Sequence, residues 1–270
     1  MNTAIWERKD LKKKGKAAFK LNYWKCVLVA LILGLVAGGG GGSTGSANSS
    51  SVSETINESV YNGGSTSGIV GDAANEISDA LSQVPTGAWV AIVVIIAIAI
   101  IIGLAIDLFL LNPLQLGCYR FFSVNHYSPA NLNEMGYGFT NNYIGNVKTM
   151  FVKDLYLFLW SLLFVIPGIV KSYSYRMVPY ILSENPGIST KEAIDLSREM
   201  MDGNKWKAFV LDLSFIGWIL LSVLTLGILA IFYVNPYMEA TNAELYHALK
   251  PATDVDYGYT DSVEASYAEV

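Results

Sequence analysis

The stretch Leu157–Leu182, "LFLWSLLFVIPGIVKSYSYRMVPYIL", decides the fold. It is too apolar for a loop, yet it carries a Pro-Gly pair, a lysine and an arginine. If it crossed a membrane once, Arg176, Lys191, Arg198, Lys205 and Lys207 would lie opposite the amino terminus. That side is the wrong one, because lysine and arginine accumulate in cytoplasmic loops. A reversal at Pro167 and Gly168 removes the conflict, with Asp154–Ile166 as the ascending limb and Ile169–Ser183 as the descending one. Proline removes a helix donor and clashes with the preceding turn, while glycine accepts the left-handed backbone of a tight reversal. Lys171 is then expected to snorkel toward headgroups. Arg176 must face protein or water, since a charge at mid-membrane costs about 2.5–3.5 kcal/mol or more.

Composition points the same way. Of 270 residues, 52% are hydrophobic and 15% charged, whereas soluble domains have nearer a quarter charged. The mean hydropathy is +0.37. Ala88–Leu111 is the clearest span; as a helix it is about 36 Å long, enough for a hydrocarbon core of roughly 30 Å. A buried helix of a soluble core rarely runs so far without a polar face. The net charge of -5 hides a segregation of signs: the first 25 residues hold eight Lys and Arg, and none follows until Arg120. The amino terminus is therefore expected in the cytoplasm.

Leu21–Ala37 reads as a first membrane helix behind a basic segment (1–22), with Tyr23 and Trp24 as interfacial anchors. A signal peptide cleaved near Ala37 is the alternative. The Gly/Ser-rich segment 38–86 has acids but no Lys or Arg, and is expected as a flexible outside loop with a short amphipathic helix at Asp72–Val84. Phe209–Tyr237 is too long for one span, so a second reversal is expected near Thr225–Gly227. Between the hairpins, segment 189–203 reads as a cytoplasmic amphipathic helix, opened by a capping box of Ser189 with Glu192 and stopped by Gly203.

The whole is an all-α, polytopic helical protein of the cytoplasmic membrane. It has six transmembrane or hairpin segments arranged as three helical hairpins. The membrane domain covers 23–250, the acidic tail 251–270 is expected to be disordered, and both termini lie inside. Some limbs offer only 14 to 17 apolar residues, roughly 21 to 26 Å, so local thinning is expected, or tips that stop within the outer leaflet.

Three descending limbs share a spacing of glycine and proline: Gly103 with Pro113, Gly168 with Pro179, and Gly227 with Pro236. Either the chain is three hairpins in tandem, or the frequency of Gly and Pro in membrane helices accounts for the pattern. Such breaks line transporter cavities in some proteins and are mere kinks in others. Asp107, Arg176 and Asp212 are the ionisable residues deepest in the spans, so they are the candidate intramembrane polar residues. Arg176 with Asp212 as a structural ion pair is the plainer alternative, joining the second and third hairpins. Cys26 and Cys118 do not suggest a disulfide, and with only His126 and His247 besides there is no zinc spacing. No Ser-His-Asp set, HExxH, P-loop or GxGxxG motif occurs, so no cofactor, metal or nucleic acid is expected.

The run "PGIVKSYSYRMVPYILSENPGISTKEAIDLSREMMDGNKWKAFVLDLSFIGWILLSVLTLGI" and the later "NPY" carry a resemblance. Over Leu114–Leu249, and in the basic segment with the first helix, the chain closely resembles a bacterial family of integral membrane proteins catalogued as domain of unknown function 975. Its most specific part is "LDLSFIGW", Leu211–Trp218, with Ser197, Met201 and Gly203 before it and Pro236 and Tyr237 after it. More loosely it is similar to membrane domains attached to some glycerophosphodiester phosphodiesterases. The resemblance implies a multi-span helical membrane protein and brings no reaction with it. The expectation is a non-enzymatic protein acting by association in the cell envelope, as a scaffold, stress or immunity-like component. Its partners would be the lipid bilayer and a membrane protein or a second copy. The alternative is a transporter or channel for a small solute or lipid.

Overall fold

The computed structural model describes residues 6–38 and 86–250. The expectations for the Gly/Ser-rich segment, the helix at 72–84 and the tail after Pro251 fall outside these residues.

Every regular element among the described residues is helical. In chain order they are α1 (Arg8–Leu21), α2 (Tyr23–Gly38), α3 (Thr86–Ile106), α4 (Asn112–Tyr127), α5 (Tyr137–Thr140), α6 (Tyr143–Leu163), α7 (Val165–Ser174), α8 (Val178–Glu184), α9 (Thr190–Met200), α10 (Lys205–Leu213), α11 (Ile216–Leu224) and α12 (Asn235–Leu249). Two π-helical turns, Asp107–Leu111 and Ala230–Val234, run directly into α4 and α12, and a 3-10 turn, Leu132–Gly136, precedes α5. The described residues divide between two compact units, one that holds α3 and one that holds the remaining elements.

In the smaller unit α3 has no charged residue. It opens the helical run Trp89–Tyr127, whose most apolar window has a mean hydropathy of 3.2. Together with Lys205–Leu224 this makes, among the described residues, two helical runs long and apolar enough to cross a membrane; a third is counted if α1 and α2, bent by 107°, are taken together. The bend at Asn22 is held from inside, where its amide donates to Asn125 Oδ1 (3.0 Å) and to the Ala130 carbonyl (2.9 Å). α1 hides an apolar stripe in its basic sequence: Leu11, Gly15, Ala18 and Phe19 are buried, and the helix packs on α12.

The core of the larger unit is built where α4, α8 and α12 meet, each with a proline in its first turn. Pro113, Pro179 and Pro236 are all buried. Tyr180 of α8 links the three helices, edge-on to Tyr119 of α4 (4.9 Å) and stacked on Tyr246 of α12 (5.2 Å). Proline has no N–H to give, and the turn before each is irregular: π-helical at Asp107–Leu111 and Ala230–Val234, a simple turn at 175–177. The proline half of the sequence spacing is thus structurally equivalent three times. The glycine half is not, because Gly103 sits mid-helix with open space around it while Gly168 and Gly227 do two different jobs.

The second hairpin corrects the expected corner. Its reversal falls at Phe164, where the backbone is extended (φ -157, ψ 143), three residues before Pro167 and Gly168. Pro167 lies in the first turn of α7, where a missing N–H costs nothing. Gly168 is helical, and a Cβ there would come 2.7 Å from Ser161 Oγ and 3.0 Å from Ser161 Cα. The glycine therefore lets the two limbs touch; it does not turn the chain. The third hairpin turns near its expected place, at Leu226 (φ 52) and Gly227 (φ 83), where Gly227 N–H closes α11 on the Ser222 carbonyl (2.8 Å).

Between the hairpins, α9 is opened by Ser189, whose hydroxyl accepts from Glu192 N–H (3.3 Å) while the Glu192 carboxylate accepts from Ser189 N–H (3.2 Å). Those bonds hold the Glu192 carboxyl below its ordinary range. Gly203 (φ 74) follows its end, and Ala193, Ile194, Ser197 and Met200 face the core. Exposure divides this unit sharply. Met177, Ile181 and Met201 are fully buried, while Leu162, Ile166 and Leu226 at the hairpin tips are 74%, 76% and 93% exposed.

Candidate functional site

Arg176 sits on the break between α7 and α8, and Asp212 one residue before the end of α10. Tertiary packing brings them into a two-pronged pair, Nη1 to Oδ2 and Nη2 to Oδ1, both 2.8 Å. Tyr173 O–H donates to the same Oδ2 (2.7 Å), and Arg176 Nη2 also donates to Asn242 Oδ1 on α12 (2.7 Å). Both oxygens of the acid and both terminal nitrogens of the base are engaged. Such a fork fixes geometry as well as charge. It joins the second hairpin, the third hairpin and α12.

Beside this satisfied pair lies an unsatisfied one. Glu239, three residues past Pro236, has its Oε2 buried without a hydrogen-bond partner, and so has the hydroxyl of Tyr180. Burial lifts the Glu239 carboxyl to about 7, against the pull of Arg176 and a hydrogen bond from Asn242, and with help from Asp212. A neutral carboxylic acid next to a neutral phenol can take up or release a proton, or hold a small polar guest. Asp107 does not join this cluster; the charges that face it are those of Lys153 and Asp154 on α6.

A second polar cluster has no counterpart in the sequence reading. His126 of α4 and His247 of α12 stack at 4.1 Å, and His126 Nδ1 lies 2.9 Å from Glu244. Burial first, and His126 second, hold the His247 imidazole well below the ordinary histidine range. The neutral ring then donates from Nε2 to the Ser123 carbonyl (3.1 Å) and accepts at Nδ1 from Tyr127 O–H (3.2 Å). Ser123 Oγ, 3.2 Å from the same Nε2, gives its proton to Glu184 Oε1 (2.8 Å). The polarity is wrong for His247 to deprotonate Ser123. Glu184 also accepts from Tyr246 O–H (2.9 Å) and Lys250 (2.6 Å), so the cluster clamps the ends of α4, α8 and α12 together. A cavity of about 170 Å³ opens beside it, lined by Leu11, Lys14, His126, Glu244, His247 and Ala248. Among the described residues no three His, Cys, Asp or Glu side chains converge as metal ligands.

Ser123 and Tyr246 each stand ten residues beyond the proline of their helix, and both bond Glu184. That shared register is the signal from which the second cluster could have been found. No curated protein and no solved structure matches the chain, and nothing supports the looser likeness to phosphodiesterase-linked membrane domains. A family model described as "Protein of unknown function (DUF975)" does match, over residues 1–253, beyond both ends of the stretch that carried the resemblance, and the chain belongs to that family.

Proposed function

We propose that the chain is a multi-pass protein of the cytoplasmic membrane, with both termini in the cytoplasm and six segments in three hairpins, and that it works by association rather than catalysis. The observation that carries this reading is a tightly packed base bearing hairpin limbs whose apolar side chains face outward. Leu155, Phe158, Leu162 and Ile169 on the second hairpin are exposed, as are Ile216, Leu220 and Val223 on the third. A continuous apolar surface of this kind marks contact with a membrane or a partner. The Arg176–Asp212 fork supports the same reading, since a bidentate pair with every prong engaged works as a clasp between hairpins. The exposed side of α9 and α10, with Trp206 standing 72% exposed, offers the face for a membrane-protein partner or a second copy.

Topology is the test. A thiol placed by Lys205→Cys is expected to escape a membrane-impermeant reagent added to intact cells. The background is low because Cys26 and Cys118 are both buried. Ready labelling from outside would overturn the arrangement of hairpins and the association reading with it.

The second reading is a carrier for a small solute, favoured by the unpartnered Glu239 Oε2 and Tyr180 hydroxyl. It expects proteoliposomes containing the protein to change internal pH when a gradient is imposed. Asp212→Asn would abolish that flux at unchanged membrane abundance. Loss of the protein itself on Asp212→Asn favours the clasp.

A further inference from the structure

We infer that the tips of the second and third hairpins turn back inside the hydrocarbon of the bilayer, with lipid acyl chains as their partner on every side. This rests on the membrane reading above and goes further, because it denies these two hairpins a complete crossing.

Limb length is the first argument. On the second hairpin the last charges of the ascending limb are Lys153 and Asp154, paired at 3.0 Å. Phe164 comes ten residues later, about 15 Å of helix. On the way down, Lys171 follows the tip by seven residues, about 10 Å, with its ammonium 4.8 Å from the Trp160 ring. On the third hairpin Asp212 precedes Leu226 by fourteen residues, about 21 Å, and Asn235 follows Gly227 by eight, about 12 Å. Each limb falls well short of a hydrocarbon core of roughly 30 Å. The run Lys205–Leu224 is long enough to span, but Ala208 and Leu211 in its lower half are buried in the base beside Asp212.

The side chains of the tips are the second argument. Leu162, Leu163, Phe164, Val165 and Ile166 form an unbroken apolar cap on the second hairpin, and Val223, Leu224, Leu226 and Ile228 cap the third. A turn emerging into water on the far side is built from Asn, Asp, Ser and Gly instead.

Backbone satisfaction is the third. Irregular backbone facing lipid is excluded unless its polar groups find partners within the protein. Around the third reversal five successive N–H groups do so. Thr225 N–H donates to the Leu221 carbonyl (3.2 Å), Leu226 to Val223 (3.1 Å), Gly227 to Ser222 (2.8 Å) and Ile228 to Thr225 (3.1 Å). Leu229 N–H, at the start of the return, donates to the Thr225 hydroxyl oxygen (3.3 Å). That hydroxyl in turn donates to the Ser222 carbonyl (3.1 Å), and the Ser222 hydroxyl to Trp218 (2.8 Å). The polar side chains of the tip are thus spent on its own backbone and not offered to water. At the second reversal Phe164 N–H returns to Trp160 (3.2 Å), Gly168 N–H to Phe164 (3.2 Å), and Pro167 removes a third donor, which leaves the N–H groups of Val165 and Ile166 as the open ones at the start of α7.

The test uses the full chain with its two buried cysteines left in place, carrying Phe164→Cys or Leu226→Cys. Leu224→Cys serves as a second variant of the third tip because Leu226 occupies left-handed backbone. Each thiol is expected to stay silent toward an impermeant maleimide in intact cells and in inverted vesicles, and to react once detergent is added. A spin label at the same positions should be broadened by oxygen and untouched by a water-soluble nickel chelate. Labelling from outside in intact cells means that the tip crosses; labelling in inverted vesicles means that it lies in water on the near side; either overturns the inference. Outside labelling of Lys205→Cys sinks the whole topology, whereas a silent Lys205→Cys beside a reactive Leu226→Cys sinks only the buried tips.

Discussion

The second and third hairpins do the same work with opposite chemistry. The second breaks its helix outright at an extended Phe164 and spends its glycine on closeness, Gly168 against Ser161. The third keeps the helix hydrogen-bonded to its last turn and spends its glycine on conformation, with Gly227 left-handed and nothing within 4 Å of where a Cβ would go. A glycine next to an apolar turn therefore has two separable meanings, room and backbone freedom. They predict different behaviour under substitution. The hairpins also differ at the base, where one supplies Arg176 and the other Asp212 to a shared clasp.

Breaking that clasp should have the largest effect. Asp212→Ala leaves a guanidinium that is only 17% exposed without its counter-charge, beside the carboxyl of Glu239. Removal of one partner of a buried pair costs 3–5 kcal/mol, and the partial exposure here lowers the expectation to about 3 kcal/mol, read as a drop in the unfolding midpoint in detergent. Replacing both partners, Arg176→Met with Asp212→Leu, should recover most of it, because the stranded charge is then gone. If the double variant is as unstable as Asp212→Ala, the pair does more than hold the hairpins in register.

The neighbouring carboxyl gives the next effect, and its sign is fixed by geometry. Glu239 is harder to ionise in the folded protein, at about 7, than in an unfolded chain, near 4.3. Its contribution to stability is therefore whole below about pH 4 and is lost as pH rises through about 7. The groups facing it are Arg176 from the α7–α8 break, Asp212 from α10, and Tyr119 and Tyr180 from α4 and α8. The shift corresponds to more than 3 kcal/mol, and residual solvent access brings the expected fall to about 2 kcal/mol between mildly acid and mildly alkaline buffer. Glu239→Gln should flatten that slope. A wild-type stability that rises over the same range would mean that the carboxyl is ionised in the fold.

What the sequence disclosed, and what it hid, follows the reach of each interaction. The capping box of Ser189 and Glu192 was legible because both partners lie within one helical turn. Arg176 with Asp212 was legible because opposite charges in apolar runs have few other ways to be satisfied. The three prolines were legible as breaks, though not the π-helical turns ahead of Pro113 and Pro236. Phe164 was hidden, since no turn-forming residue marks the extended backbone there, while the Pro-Gly pair that drew the eye lies inside α7, with Gly168 packed on Ser161. The stripe Leu11, Gly15, Ala18 and Phe19 was masked by the lysines between its members. Glu239 was not singled out, because nothing in the residues around it marks a buried acid; only the packing of α12 against α4 does. His126 and His247 stack across 121 residues of sequence, which no local pattern could have joined.

The smallest effects separate room from conformation most cleanly. Gly168→Ala puts a methyl group 2.7 Å from Ser161 Oγ and should cost about 2 kcal/mol, the usual penalty for overpacking. Gly227→Ala meets no neighbour and should cost about 1 kcal/mol, the price of left-handed backbone for a residue with a Cβ. The magnitudes are close, so the coupling has to distinguish them. Against Ser161→Gly, the first substitution should be strongly non-additive, because loss of the Ser161 side chain relieves most of the clash that the new methyl group creates, and the second should add independently. Gly227→Asn should be milder than Gly227→Ala, since Asn tolerates the left-handed region, while Gly168→Asn should be worse than Gly168→Ala because it is larger. A reversal of either order would mean that the two glycines serve one purpose, and the contrast between the hairpins would reduce to where each happens to bend.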